Sequence, residues 1–129
     1  MAKNQSLFIF CLTKTRYMII EKIVKNTPNQ TLNTWGIKDA HRTVYKGQEA
    51  TILKVNGLQH NGNIVITEKN GNYDIYLLDD LDREKESRKK IKEYDLPKVI
   101  NELIERPAEW SDEFYYLQIM NKLKKFENV

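Results

Sequence analysis

The alternation of apolar and polar residues is clearest in residues 50–79, where it predicts an antiparallel β-meander. Two apolar segments, residues 63–69 and 72–78, flank the dipeptide Asn70-Gly71. This dipeptide favours a two-residue type I′ turn, because both central residues of that turn have a positive φ. The turn fixes the expected cross-strand pairs: Lys69 with Asn72, Glu68 with Tyr73, Ile66 with Ile75, and Ile64 with Leu77.

Side chains alternate between the two faces of a strand, so this hairpin predicts two faces of different character. The apolar face carries Ile64, Ile66, Ile75 and Leu77. The opposite face is more polar near the turn and apolar far from it, and it carries Val65, Thr67, Asp74, Tyr76 and Leu78. We expect the first face to lie in the core and the second to be only partly covered.

A preceding strand is predicted at Thr51–Val55. The turn that joins it to the hairpin is ambiguous, because Asn56-Gly57 and Asn61-Gly62 both suit a tight turn and imply different registers. The meander therefore has three strands at least, and up to five if the flanking segments contribute.

The residues before the meander carry weaker patterns. The apolar run at 7–12 predicts an edge strand or part of a peripheral N-terminal extension, residues 1–17. Residues 18–25 fit either a strand or a short helix, and their β-branched content favours the strand. Residues 26–34 are rich in Asn, Thr and Pro and predict a loop. Residues 35–48 have no clean period and predict an ordered loop with at most one helical turn.

The residues after the meander begin with a charge run at 79–93. Acidic residues come first and basic residues follow, which suits the dipole of a solvated helix. An exposed excursion that ends in a short strand through Ile91 fits the same residues equally well, and both alternatives stay open.

Two amphipathic helices are predicted at the C-terminal end of the chain. Asp95 is the expected N-cap of the first, which ends before Arg106-Pro107, and Ser111 is the expected N-cap of the second. The first apolar stripe is Leu96, Val99, Ile100, Leu103 and Ile104. The second is Tyr116, Leu117, Met120, Leu123 and Phe126. We expect both helices to pack on the apolar sheet face, with Leu103, Ile104, Leu117 and Met120 resting on it, which gives an α+β fold.

Composition and length add few constraints. The chain has 129 residues, of which 40% are hydrophobic and 30% charged, so we expect one domain over residues 1–129 with a compact core at 18–129. Its single cysteine, Cys11, excludes a disulfide framework and a Cys-rich metal site. The short apolar run near the N-terminus is too short for a signal peptide or a bilayer span, so we expect a cytoplasmic protein without membrane contact.

Charge is uneven along the chain and gives one functional alternative. Residues 1–49 contain eight Lys or Arg and three Asp or Glu, a balance of +5, within a total of +3. A basic segment with interleaved aromatic residues can bind nucleic acid if the fold collects its cations on one face. The residues that would form this face are Lys22, Lys25, Lys38, Arg42 and Lys46.

Catalytic chemistry has little support in the sequence. The only histidines are His41 and His60, and neither belongs to a cluster with metal-ligand spacing. We expect His60 to be an exposed turn residue. Asp39, His41, Arg42 and Tyr45 form the single group that suggests acid-base chemistry, and an enzyme centred on His41 is our third-ranked hypothesis. No catalytic residue, cofactor or metal site is predicted.

The favoured hypothesis is a small accessory protein that binds another protein. The abundance of Lys, Asn and Ile suggests an AT-rich coding sequence and hence a bacterial or phage origin. A contact patch is expected on the more polar sheet face and its surroundings. Its members are Trp35, Tyr45, Val65, Tyr76 and Leu78. Association of two copies through a sheet edge is a further alternative, and the identity of the partner is left open.

Overall fold

The computed structural model describes residues 19–127, with side chains described as far as residue 124. The predicted N-terminal extension, residues 1–17, and the side chain of Phe126 lie outside the described residues. Helix α1 occupies residues 19–26. The remaining elements are α2 (Asn29–Trp35), β1 (Asp39–Tyr45), β2 (Gln48–Asn56), β3 (Asn61–Lys69), β4 (Asn72–Leu78), β5 (Glu84–Lys92), a 3-10 turn (Glu93–Asp95), α3 (Leu96–Ile104) and α4 (Asp112–Glu127).

The five strands form one antiparallel sheet in the order β1-β2-β3-β4-β5. This confirms the α+β class and the meander. The turn between β3 and β4 has φ values of 54° at Asn70 and 79° at Gly71, as a type I′ turn requires. All four predicted pairs of this hairpin are present, from Lys69 with Asn72 to Ile64 with Leu77.

The connection between β2 and β3 is a four-residue loop, so neither of the two predicted tight turns, Asn56-Gly57 or Asn61-Gly62, is present. Asn56 pairs with Asn61, so residues 57–60 make the connection. This segment lies against the end of α3, where the carbonyl oxygen of Ile104 accepts hydrogen bonds from the backbone N–H groups of Gln59 at 2.9 Å and His60 at 3.2 Å. A Cβ at Gly57 would lie 2.1 Å from that carbonyl oxygen, so glycine is required for this close approach.

The apolar sheet face is the floor of the main core, as predicted. Ile64, Ile66 and Ile75 are fully buried, and residues of α1, α2 and α3 belong to the same cluster. Trp35 at the end of α2 is fully buried there, and its indole N–H donates to Oδ1 of Asn101 at 2.9 Å. The main core therefore lies between one face of the sheet and the first three helices.

Three predictions for the N-terminal third are wrong. Residues 19–26 form a helix, because Ile19 and Ile23 are one turn apart and bury together against the sheet. The predicted loop at 26–34 contains α2, which ends at Gly36 in the left-handed conformation that closes many helices. The predicted loop at 35–48 contains β1, which pairs with β2 along its whole length.

The charge run after the meander is an edge strand. Residues 84–92 pair with β4 as β5, with two irregularities in the register. Ile91 is buried, and most other side chains of β5 are exposed. The prediction of a solvated helix is thus wrong. The alternative, an exposed excursion that ends in a strand through Ile91, is closer to the structure, although the excursion is confined to residues 79–83.

The C-terminal helices differ from one another. Helix α3 follows the prediction, with Ile100, Leu103 and Ile104 in the main core, although Asp95 at its N-cap makes no side-chain cap bond. Ser111 caps α4, because its Oγ accepts the N–H of Phe114 at 3.1 Å. The expected placement of the second stripe is not confirmed: Leu117 is 56% exposed and Met120 is 36% exposed.

The sheet is strongly curved. The aromatic rings of Tyr45 on β1 and Tyr76 on β4 have centroids 5.1 Å apart, although neighbouring strands of a flat sheet are separated by about 4.8 Å each. The hydroxyl of Tyr45 also donates to Glu84 on β5 at 2.6 Å. The face opposite the helices is therefore concave, and its rims approach one another.

Candidate interaction surface

The concave sheet face holds four of the five residues predicted as a protein contact patch. Val65, Tyr76 and Leu78 are buried there together with Ala50, and Tyr45 packs against them. Trp35 lies in the main core on the opposite face and does not belong to this group. The structure thus brings most of the predicted residues together.

This second cluster is covered by charged side chains of the same chain. The ammonium groups of Lys46 and Lys89 lie 4.6 Å and 5.0 Å from the ring centroid of Tyr76. Lys46 Nζ also contacts Glu84 Oε2 at 2.8 Å, and burial and the hydrogen bond to Glu84 raise the pKa of Tyr45 to about 12. The predicted patch is covered and offers little apolar surface to a partner.

The predicted nucleic-acid residues do not form one basic face. Lys22 lies on the helix side, where Nζ contacts Glu68 Oε2 at 3.2 Å and the Tyr73 hydroxyl at 2.8 Å. Lys46 lies on the concave side beside Glu84. Two of the five cations thus point to opposite faces and are paired with carboxylates.

The remaining three cations of that set do not restore a basic stripe. Arg42 contacts Glu49 across the β1-β2 pair at 3.6 Å, which neutralises its charge locally. Lys25 and Lys38 are exposed on separate elements, one on α1 and one just before β1. The five cations therefore do not all lie on one face, and three of them are paired with carboxylates.

His41 lies open to solvent on β1. Its side chain is 56% exposed, and its Nδ1 is 3.4 Å from Oδ2 of Asp39, which is itself 64% exposed. A general base needs a shielded position from which it can contact a substrate. The enzyme hypothesis requires a pocket around His41, and this exposed position on β1 does not provide one.

His60 was predicted to be exposed, and this is wrong. It is 3% exposed, and its Nε2 is 3.0 Å from the carbonyl oxygen of Asn63. Its Nδ1 has no hydrogen-bond partner among the described residues. Burial lowers the pKa of His60, partly offset by the bond to Asn63. The backbone N–H of His60 bonds to Ile104 at the end of α3, and the ring is held beside the first residues of β3.

Residues 19–127 offer neither a metal cluster nor a membrane-spanning helix. No group of three or more His, Cys, Asp or Glu side chains in this part of the chain could hold a metal ion. Within the same residues, none of the helices has the length and apolar character needed to cross a bilayer.

Among the residues with described side chains, five of the ten exposed large apolar residues lie on α4. We define the α4 stripe as the exposed side chains Phe114, Tyr116, Leu117, Met120 and Leu123, whose exposed fractions run from 36% to 62%. Scattered single apolar side chains are normal on a protein surface, whereas a contiguous row indicates an interaction site. The α4 stripe is the best candidate for such a site in the described chain.

The opposite side of α4 is tied to the body of the protein by polar contacts. Tyr115 donates its hydroxyl to Glu105 Oε2 at 2.6 Å, and burial and this bond raise the pKa of Tyr115, so the phenol remains a donor. The guanidinium of Arg106 lies 4.9 Å from the ring centroid of Tyr115. Near the other end, Lys122 Nζ donates to the carbonyl oxygen of Asn56 at 3.1 Å. These contacts orient the α4 stripe away from the core.

A line of four residues runs along the middle of the α4 stripe. Glu113, Leu117, Met120 and Lys124 follow one another at spacings of four, three and four residues. At about 100° per residue these spacings keep the four side chains on one side of the helix, as in the seam of a coiled coil. The seam is apolar in its centre, acidic at one end and basic at the other.

Sequence reasoning missed this site because it assigned the stripe to the core. The available signal was a second set of apolar positions on the same helix, Tyr115 and Ile119, which are half-buried on the body side. A helix with apolar residues on two sides has more apolar surface than one sheet can cover.

The sheet edges are less suited to a partner. On β5 seven of nine residues are charged, and Lys90 adopts a positive φ of 56° where the register shifts. Charges and irregularities of this kind prevent edge-to-edge pairing. Association through an edge stays a prediction.

Comparison of the chain with protein-family models, curated proteins and solved structures finds no match in any of the three.

Proposed function

We propose that the protein acts by binding an amphipathic helix of another protein chain on the α4 stripe. The observation that carries this proposal is the exposure of five large apolar side chains on one helix, including Leu117 at 56% and Leu123 at 50%. Exposed apolar surface is costly to leave in water, at about 25 cal/mol per Å². A partner that covers the stripe would recover this free energy.

The seam residues define the chemistry of the partner. A row spaced by four, three and four residues packs best against a second helix with the same repeat, because side chains of one helix then fill the gaps of the other. Glu113 at one end favours a basic residue opposite it, and Lys124 at the other end favours an acidic one. The partner is therefore a helix with an apolar centre and ends of opposite charge.

The proposed activity needs no rearrangement of the core. The α4 stripe lies opposite the contacts that attach α4 to the body, through Tyr115 and Lys122. A partner can bind while these contacts persist. Residues 96–104, which pack in the main core, would stay unchanged.

Site-specific photo-crosslinking tests the proposal. A benzophenone amino acid is placed at Leu117, and the protein is irradiated in extract of the cells that produce it naturally, after nuclease treatment. We expect a covalent adduct with a protein chain, identified by mass spectrometry. The adduct should be lost when Met120→Gln is added, because the seam then contains a polar amide.

Leu81 provides the matched control, because it is a leucine that is 71% exposed in the turn before β5 and far from α4 in sequence. The same crosslinker at Leu81 should give no such adduct. Equal adducts at both positions, or none at Leu117, would contradict the proposal.

A further inference from the structure

We propose that the helix bound on the α4 stripe is α4 of a second copy of this chain, packed antiparallel; this inference rests on the function proposed above. The seam has the symmetry that such a pair requires. Its four residues are placed symmetrically about the midpoint between residues 118 and 119. A two-fold axis through that midpoint makes the seam complementary to itself.

The charged ends of the seam meet in this arrangement. Glu113 of one copy lies opposite Lys124 of the other, and the pairing occurs twice because the interface is symmetric. Both side chains are exposed in the single chain. A parallel pair would instead place Glu113 against Glu113 and Lys124 against Lys124. Charge therefore selects the antiparallel orientation, which also aligns the two helix dipoles favourably.

The apolar centre of the seam matches in the same register. Leu117 of one copy lies opposite Met120 of the other, again twice. Both side chains are at least 36% exposed in the single chain. The contact extends over three helical turns, about 16 Å. An interface this short should give a weak and concentration-dependent dimer.

Sedimentation equilibrium of the full chain over a wide range of concentrations tests the association. We expect a monomer-dimer equilibrium for the unmodified protein and a monomer at every concentration for Leu117→Asp. The control Leu81→Asp should associate like the unmodified protein. Circular dichroism and thermal unfolding of dilute samples check that both variants fold.

Charge exchange tests the orientation. Glu113→Lys and Lys124→Glu should each weaken self-association roughly tenfold, because each replaces two attractive pairs by two repulsive ones. An equimolar mixture of the two variants should form a heterodimer, since every facing pair is then of opposite sign. The double variant Glu113→Lys/Lys124→Glu should recover self-association.

Three results would overturn the inference. One is a dimer that is insensitive to these charges or to Leu117→Asp. Another is a monomer at all concentrations whose Leu117 crosslinks to a different protein; in that case the proposed function stands and the self-pairing fails. The third is a monomer that dimerises through the α4 stripe only after deletion of residues 1–17, which would assign the stripe to that segment.

Discussion

Helices α3 and α4 both carry many apolar side chains, yet they are held to the protein in different ways. On α3 the apolar side chains are in the main core, where Ile100 and Ile104 are fully buried. On α4 the contacts with the body include a phenol-carboxylate bond at Tyr115 and a lysine-carbonyl bond at Lys122. The larger apolar side chains of α4 point outward instead.

The difference teaches that an amphipathic pattern predicts a helix and one buried side, without identifying what covers that side. For α3 the cover is the sheet of the same chain. For α4 we propose that the cover is another chain. The two helices should therefore respond in opposite ways to the same substitution.

The largest difference is expected between Leu103→Ala on α3 and Leu117→Ala on α4. Leu103 is 6% exposed, and truncation of a buried leucine lowers the free energy of unfolding by about 2–4 kcal/mol. Leu117 is exposed, so its truncation should change that free energy by less than about 0.5 kcal/mol in dilute protein. Urea unfolding at low concentration measures both, and equal losses would contradict the contrast.

The next largest effect is expected where α3 meets the β2-β3 connection. Gly57→Ala would place a Cβ against the backbone carbonyl of Ile104, and overpacking of this kind destabilises by about 1–3 kcal/mol. Gly62→Ala is the control, because the nearest atoms to its Cβ would be side-chain atoms of His60, at 3.4 Å and beyond. A thermal unfolding midpoint that falls only for Gly57→Ala would support the docking of the connection on α3, and equal midpoints would refute it.

A smaller effect is expected for the attachment of α4. Tyr115→Phe removes the donor to Glu105, a side chain that is 4% exposed and keeps its other oxygen bonded to the N–H of Leu58 at 3.0 Å. The net contribution of a typical intramolecular hydrogen bond to stability is about 0.5–1.5 kcal/mol. Hydrogen exchange should accelerate in α4 and stay unchanged in α3. Tyr116→Phe, at the exposed ring on the other side of the helix, should leave both rates unchanged.

The smallest effect is a dependence of stability on pH. The pKa of His60 is lowered in the folded protein below its ordinary value of 6.5, because burial disfavours the charged ring. The unfolded chain therefore binds the proton more tightly, and the contribution of His60 is neutral above pH 6.5 and destabilising as the pH falls below it. The free energy of unfolding should decline below pH 6.5 more steeply in the unmodified protein than in His60→Gln, and equal slopes would count against a buried neutral ring.

Sequence reasoning succeeded where local chemistry decides the structure. The β3-β4 turn depends on two adjacent residues, Asn70 and Gly71, which accept a positive φ. The apolar repeat of α3 likewise depends on residues within one helix. In both cases the residues that determine the structure are close in sequence, so the sequence pattern is sufficient to predict it.

Prediction from the sequence failed where contacts between residues distant in sequence determine the structure. The run at 19–26 fits a strand and a helix, and only the shared burial of Ile19 and Ile23 against the sheet selects the helix. Strand β1 has no fully buried side chain, because it is an edge held by backbone pairing to β2. Its residues consequently lack the apolar alternation by which a strand is recognised.

The candidate site was missed for a related reason. Curvature of the sheet brings Tyr45 to Tyr76 and places Lys46 over that ring, so the face predicted for a partner is covered from within. The exposure of the α4 stripe depends on which side of α4 contacts Glu105 and Asn56. Neither the curvature of the sheet nor the orientation of α4 can be predicted from the periodicity of apolar residues.

The most direct test of the contrast between the two helices is methyl NMR of dilute protein with a soluble paramagnetic agent. We expect strong broadening for the methyl groups of Leu117, Met120 and Leu123 on α4. We expect little broadening for those of Ile100 and Ile104 on α3. Methyl groups on α4 that are shielded as well as those on α3 would contradict the proposed interaction surface, because the α4 stripe would then be covered within the single chain.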